Sequence, residues 1–183
     1  MMRYRIRFEL VEYWHAGSGA GRGPRVDAAV VRTAAGLPYL PGKTVRGLLR
    51  DAFELARNHP AVAPLAIDAM FGREDEQGLV RLSDATLGEE AERWAHSARG
   101  EPEAFFDLVR STAVDRTTGQ AAKGTLRSIE VAVPVELEAT LYCLDGFDPG
   151  PESLSAALSF LRSLGANRRR GLGRVRATLA AAE

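Results

Sequence analysis

The chain has little of what stabilises secreted proteins or anchors membrane proteins. Its 183 residues include a single cysteine, Cys143, so it cannot form an internal disulfide. No window approaches the ~20 consecutive apolar residues that a membrane-spanning helix needs, and the first residues resemble neither a signal peptide nor a transit peptide. We therefore expect a single domain over residues 1–183, located in the reducing cytoplasm and not associated with a membrane.

The chain also lacks net charge, with 24 basic and 24 acidic residues. This balance argues against a uniformly basic nucleic-acid-binding protein, but the basic residues are clustered. One cluster follows the exposed edge of a predicted helix: Lys43, Arg46, Arg50 and Arg57. A second lies in "GANRRRGLGRVR", whereas "GREDEQG" and "LGEEAERW" are acidic. The clustering predicts a surface with one basic and one acidic side.

The spacing of apolar residues alternates between the periods of strands and helices. It predicts a strand at 3–11, a helix at 43–57, a strand at 78–88, helical pieces at 89–110, a hairpin insertion at about 111–130 with its turn near 119–123, a strand at 132–144, a helix at 150–165 and a strand at 173–180. This order is typical of an α+β protein with a ferredoxin-like, RRM-like β-α-β-β-α-β core. A glycine-rich loop after the first strand is the main irregularity.

The segment "GLPYLPGKTVRGLLRDAF" ends like a nucleotide-binding P-loop but does not meet its requirements. Leu37 stands where the first glycine of that loop is needed, and two prolines remove backbone N–H groups that would bind phosphate. What remains is a helix beginning near Gly42. We expect its free N–H groups and its dipole to favour an anion close to Lys43 and Thr44.

Two other glycine-rich segments differ in what they predict. "GSGAGRG" has the wrong glycine spacing for a dinucleotide site and does not lead into a helix, so taken alone it is a surface loop. In "GANRRRGLGRV", arginines that can fork to phosphate oxygens are flanked by Gly171 and Gly173, which permit close approach of two backbones. Together with the basic helix, this loop favours a groove for a polyanion.

Several of these segments, in this order, resemble the RAMP superfamily, the repeat-associated proteins of CRISPR effector complexes. "HAGSG" is similar to the family's "LHIGSG" loop, and "GLPYLPGKTVRGLLRDAFE" to its "LPYIPGSSLKGxLR" helix entry. "MFGREDEQGLVRLSDATL" resembles "LFG…GRLxFxDA", and "LGANRRRGLGRVRA" resembles "GGxxSRGxGxV". The hairpin segment "TAVDRTTGQAAKGTLRSIEV" is similar to the family's thumb. The match extends from about Arg3 to Ala177.

The resemblance implies a subunit of the backbone of a type III effector complex. Such a subunit holds a guide crRNA by its phosphates, pairs it with complementary target RNA, and assembles with copies of itself or related subunits. The family's loop aspartate corresponds to Asp27, which would support cleavage of target RNA with a divalent metal, Mg²⁺. RNA contacts are then expected at these positions: Lys43, Thr44, Arg46, Arg50, Arg116, Lys123, Arg127, Arg168, Arg169, Arg170, Gly171 and Gly173.

The sequence leaves alternatives open. His15, in the same loop as Asp27, is a candidate to contact RNA or orient the site, and packing beside Trp14 explains it equally well. A subunit without Asp27 catalysis would be structural or would cap the assembly. A ribonuclease that processes repeat RNA would need a general base, for which His15 is the candidate. Single-stranded DNA remains an alternative to RNA as the paired target.

Overall fold

The structure, a computed structural model, describes residues 2–62, 64–73, 75–97, 99–144 and 146–180. Its strands are β1 (Arg3–Leu10), β2 (Val80–Leu82), β3 (Phe106–Ser111), β4 (Arg127–Ala132), β5 (Glu136–Cys143) and β6 (Val175–Leu179). Its helices are α1 (Gly42–Leu55), α2 (Pro64–Phe71), α3 (Glu89–Ala95) and α4 (Pro151–Leu158). Short 3-10 turns cover Gly23–Arg25, Pro102–Phe105 and Arg168–Arg170.

The main sheet confirms the predicted fold class. Four antiparallel strands lie in the order β2-β5-β1-β6. This is the order of a ferredoxin-like α+β fold, in which each strand-helix-strand unit steps over one neighbouring strand. In the register, Phe8 of β1 lies opposite Leu137 of β5 and Ala177 of β6, so the centre of the sheet is apolar on one face.

The core forms where α1 and α4 cover that face. Alternation along β1 buries Ile6 and Phe8 completely, as a half-buried strand requires. The predicted apolar stripe of α1 is buried as well, with Leu49 and Phe53 inaccessible to solvent. Full burial of one such side chain contributes about 2 kcal/mol to folding. Cys143 is buried and unpaired, and burial raises the pKa of its thiol.

The hairpin begins earlier than the sequence predicts. Residues 106–110, expected to be helical, form most of β3, which pairs with β4 so that Val109 lies opposite Ile129. The prediction was wrong because β3 has only six residues, too few for periodicity to distinguish a strand from a helix. Between the strands, residues 112–126 form an exposed tip with turns at Gly119 and Gly124, both of which have positive φ.

Two other predicted elements are shorter in the structure. The predicted helix at 150–165 ends at Leu158, although Leu161 and Leu164 remain buried in the turn that follows. The predicted strand at 78–88 reduces to β2, followed by single bridges at Ala85 and Thr86. No helix in the described part of the chain is both long enough and apolar enough to traverse a bilayer.

Candidate nucleic-acid interface

Asp27 lies along β4 on the edge opposite the one that pairs with β3. Its backbone N–H donates to the Ser128 carbonyl at 2.8 Å, and its Oδ2 accepts the Ser128 N–H at 2.7 Å. The Glu130 N–H then donates to the Ala28 carbonyl at 2.9 Å. The glycine-rich loop is therefore fixed to the hairpin. The Asp27 side chain is exposed, and its Oδ1 has no hydrogen-bond partner among the described residues.

Glu130 anchors the same loop from inside the hairpin and was missed by the sequence analysis. Its carboxylate is buried and accepts hydrogen bonds from the Val30 N–H at 2.9 Å and from Arg32 at 2.8 Å, with Arg22 at 3.4 Å. Buried carboxylates need such partners because desolvation penalises an unpaired charge. The signal in the sequence was a glutamate inside the apolar strand segment "SIEVAV".

Arg32 joins the loop to both hairpin strands. Its guanidinium lies over the Phe106 ring, 3.5 Å from the centroid, and also donates to exposed Glu103 at 2.6 Å. Burial alone would lower the pKa of Arg32, but hydrogen bonds to Glu103 and Glu130 outweigh it and raise the pKa. The hydrogen bond from Arg32 in turn holds the pKa of Glu103 below its usual range. These contacts fix the backbone that follows Asp27.

His15 has a packing role. It is 5% exposed, and its Nδ1 lies 2.6 Å from the Glu130 carbonyl. Its Nε2 would be only 3.1 Å from a Cβ at Gly17, and the ring also borders an open cleft beside α1. Neighbouring Trp14 is fully buried and donates its indole N–H to the Val133 carbonyl. Packing therefore fixes the ring at the border of that cleft, and the RNA contact expected of it stays a prediction.

The N-terminus of α1 already has an anion. The Gly42 N–H donates to the Asp84 carboxylate at 2.6 Å and the Thr44 N–H to the Pro41 carbonyl at 2.7 Å, so two of the N–H groups expected to be free for an anion already have acceptors. Asp84 occupies the position that the helix dipole makes favourable for negative charge. Lys43 and Thr44 are exposed beside it.

The predicted basic stripe of α1 is directed away from the arginine loop. Arg46 donates to the Phe71 carbonyl at the end of α2, and Arg50 lies near Asp68 of α2. The neighbouring face of α1 lines a cleft of about 400 Å³ together with Arg168; it contributes Thr44, Gly47, Leu48 and Asp51. The structure therefore places Thr44 with the arginine loop and does not bring Arg46 or Arg50 to it.

The arginine loop is held by its backbone, with Asn167 at φ 58° and Gly171 at φ 83° on either side of the 3-10 turn. Arg168 faces the cleft beside α1, whereas Arg170 lines a second cleft of about 400 Å³ at the base of the hairpin. Arg169 is exposed and lines neither cleft.

Gly173 serves the fold and is not available to RNA. It is buried, and a Cβ there would lie 2.0 Å from the Leu164 carbonyl oxygen, so any side chain would force the two backbones apart. Its N–H donates to the Tyr13 carbonyl at 2.7 Å. Gly171 is exposed, with open space around its Cα. Of the two glycines expected at the interface, only Gly171 can approach a ligand.

The hairpin contributes the remaining basic residues. Arg116 and Lys123 lie on the tip and Arg127 lies at its base, all three exposed and without an acidic partner within salt-bridge distance in the described part of the chain. Asp115 closes the turn at the tip by accepting the N–H groups of Thr117 and Thr118, which lowers its pKa. Its charge is thereby directed into the turn.

The fold and these loops match a known family. The model of the RAMP superfamily matches residues 7–176. The chain belongs to the RAMP superfamily. No curated protein sequence matches it.

Solved structures support the same fold for this RAMP protein. It is similar to a chain in a cryo-EM structure of the type III-B Cmr-beta bound to cognate target RNA, with 13% identity, a TM-score of 0.71, and coverage of 98% of this chain and 97% of that one. It is also similar to a chain of the type III-B Cmr-beta in the apo state, with 14% identity, a TM-score of 0.72 and the same coverages.

The donor atoms of this RAMP protein do not form a resident metal cage. Among the described residues, no group of three or more His, Cys, Asp or Glu side chains lies close enough to hold an ion. Asp27 offers one outward carboxylate oxygen. Mg²⁺ is often bound through one or two carboxylates together with substrate phosphates. The site therefore fits a metal ion shared with RNA and does not fit one bound by the protein alone.

Proposed function

We propose that this RAMP protein is a guide-RNA-binding backbone subunit of a type III CRISPR effector complex in the cytoplasm. It holds the crRNA, which pairs with target RNA, and contributes metal-dependent cleavage of that target at Asp27. The observation that carries the proposal is the position of Asp27. Its exposed carboxylate is fixed by the N–H of Ser128, the residue that follows Arg127 on β4, and Arg127 lines a cleft together with Arg170.

Four of the expected RNA-binding side chains line two separate clefts. Arg168 and Thr44 line the cleft beside α1, and Arg127 and Arg170 line the cleft at the hairpin base. Phosphate contacts of this kind fix the register of the nucleic acid without reading its sequence. Sequence is then read by pairing with the guide, which suits a subunit that serves every guide in turn.

Asp27 suits cleavage next to a bound phosphate. A Mg²⁺ ion supplied with RNA would neutralise charge on the scissile phosphate, and Asp27 would hold it through the carboxylate oxygen that Ser128 leaves free. The same oxygen can instead accept the proton of the attacking ribose 2′-OH. Either role needs the fixed position that Ser128 and the Glu130 contacts provide, because small misplacements cost large factors in rate.

The test begins by purifying the protein with its native neighbours and sequencing the small RNA that accompanies it. RNAs with a constant tag and a variable body support the guide-holding role, and a preparation without nucleic acid contradicts it. A target complementary to that guide is then offered with Mg²⁺ to complexes containing wild-type or Asp27→Ala protein. We expect regular cleavage products from the wild type and none from the variant at equal target binding.

A non-catalytic structural subunit is the second candidate, favoured by the single carboxylate at the site. It predicts assembly and cleavage unchanged in the Asp27→Ala complex. A repeat-processing ribonuclease is less well supported, because its candidate base, His15, is only 5% exposed and its Nδ1 is already bonded to the Glu130 carbonyl. It predicts metal-independent cutting of repeat RNA that is lost in His15→Ala.

A further inference from the structure

The cleft at the hairpin base brings together two arginines that are distant in sequence. Arg127 begins β4, and Arg170 ends the 3-10 turn of the arginine loop. Both line one cleft of about 400 Å³ with residues of the hairpin: Ser111, Thr112, Ala113, Gly124 and Thr125. Neither guanidinium forms a salt bridge with a described carboxylate, so both positive charges line this cleft without an acidic partner.

The wall of this cleft is fixed before any ligand binds. The hydroxyls of Thr112 and Thr125 are 2.8 Å apart, Thr125 Oγ1 accepts the Ala113 N–H at 3.1 Å, and the same hydroxyl donates to the Ala122 carbonyl at 2.7 Å. These bonds tie the two sides of the hairpin together where the cleft opens. Two guanidinium groups over a wall of hydroxyls suit a phosphate, because each arginine presents several donors in a fixed fork.

We propose that Arg127 and Arg170 together bind one phosphodiester of the RNA backbone, so that bound RNA joins the hairpin to the arginine loop. This rests on the proposed function and goes beyond it by assigning both side chains to a single phosphate. The two sites are joined through β4, because Ser128, whose N–H holds the Asp27 carboxylate, directly follows Arg127 in the chain. The phosphate belongs either to the guide or to the target, and the two strands present the same chemistry.

The number of phosphates that the pair binds is measurable from salt dependence. For single-stranded nucleic acid, the logarithm of the binding constant falls with the logarithm of salt with a slope of about −0.7 for each neutralised phosphate. If the two arginines share one phosphate, either single variant leaves the slope nearly unchanged, because the remaining arginine still neutralises it. The double variant then reduces the magnitude of the slope by about 0.7. Independent contacts would instead reduce it by about 0.7 in each single variant and about 1.4 in the double.

The experiment titrates a short fluorescent single-stranded RNA with the full chain at several salt concentrations. It compares wild type, Arg127→Ala, Arg170→Ala and the double variant. Arg110→Ala is the matched control, because it removes the same charge from the same hairpin. Arg110 directly precedes the cleft residue Ser111 on β3. Neighbouring residues of a strand point to opposite faces, so the Arg110 side chain is directed away from the cleft. We expect the control to keep the wild-type slope and affinity, and each single variant to weaken binding about tenfold.

The outcomes that contradict the proposal can be distinguished from one another. A wild type that binds no RNA overturns the proposed function and the phosphate site together. Wild-type binding that persists in the double variant overturns the phosphate site alone, as do additive slopes or an equal loss in Arg110→Ala. In the guide-loaded complex, a double variant that retains its guide but binds target weakly assigns the phosphate to the target strand. Loss of the guide assigns it to the guide.

Discussion

The Asp27 carboxylate and the Ser128 amide, 101 positions apart in sequence, form a 2.7 Å hydrogen bond, and the Asp27 amide returns a bond of 2.8 Å to the Ser128 carbonyl. Asp27 is thus held as part of a short parallel pairing between the glycine-rich loop and β4, a pairing that also includes Ala28 and Ile129. The hairpin that would contact RNA and the aspartate that would act on it form one structural unit.

Replacing Asp27 by asparagine or by alanine should separate its contribution to stability from its contribution to target cleavage. In Asp27→Asn the side-chain amide oxygen would still accept the Ser128 N–H, so we expect this variant to unfold at the wild-type denaturant concentration. Asp27→Ala removes the acceptor and should lose about 1 kcal/mol. Both should abolish target cleavage because neither carries the negative charge. An Asp27→Asn complex that cleaves at the wild-type rate would contradict the catalytic assignment.

Glu130→Gln should destabilise the protein by about 3 kcal/mol, since a buried charged partner of Arg32 is lost. The matched control is Glu103→Gln, which removes the other carboxylate that binds Arg32. The Glu103 side chain is 70% exposed against 6% for Glu130, so the control should cost less than about 1 kcal/mol. Urea denaturation of both variants measures the difference. Equal losses would mean that burial does not set the strength of these ion pairs.

Lowering the pH should weaken the ion pair between Glu103 and Arg32, which holds the glycine-rich loop to the hairpin. Because the hydrogen bond from Arg32 lowers the pKa of Glu103 below its ordinary value of 4.5, the folded state binds this proton less readily than the unfolded state. The pair therefore stabilises the protein at pH values above 4.5, and this contribution is lost as the pH falls through the lower, folded-state pKa. The free energy of unfolding, measured by denaturation at a series of pH values from neutral to acid, should fall less steeply for Glu103→Gln than for wild type. Parallel curves would contradict the pairing.

Arg46 and Arg168 should respond differently to replacement by alanine. Arg46 donates to the Phe71 carbonyl, so Arg46→Ala should lower stability by about 1 kcal/mol and leave the salt dependence of RNA binding unchanged. Arg168 lines an open cleft, so Arg168→Ala should retain the stability of the protein. It should reduce the magnitude of the slope of log binding constant against log salt by about 0.7. Thermal unfolding and salt titrations with one RNA test both. A reduced salt dependence of RNA binding in Arg46→Ala would mean that Arg46 contacts RNA.

Local pattern predicted the ferredoxin-like core well. Ile6, Phe8, Leu49 and Phe53 are buried where the periodicities placed them, because those positions depend on which face of one element is apolar. The pattern failed at residues 106–110, whose strand conformation depends on pairing with β4. Resemblance to a family, rather than pattern, pointed to Asp27.

The partners of charged residues were not predictable, because they come from distant segments. Nothing near Gly42 in sequence indicates that Asp84 would take its N–H, and nothing near Arg46 indicates the carbonyl of Phe71. The same holds for Glu130, whose arginine partners lie about a hundred residues earlier in the loop. The basic residues of α1 are exposed as the sequence predicts, but the structure places Arg46 and Arg50 next to α2 and away from the arginine loop.

The exposed strand β3 has a practical consequence for handling the protein. In the described residues it pairs only with β4, and it carries Leu108 and Val109 at the surface. Open strand edges tend to pair with other chains, which leads to aggregation, and charged neighbours such as Asp107 and Arg110 oppose this only in part. Concentrated preparations of the isolated chain should therefore precipitate more readily than preparations in which a binding partner covers this edge.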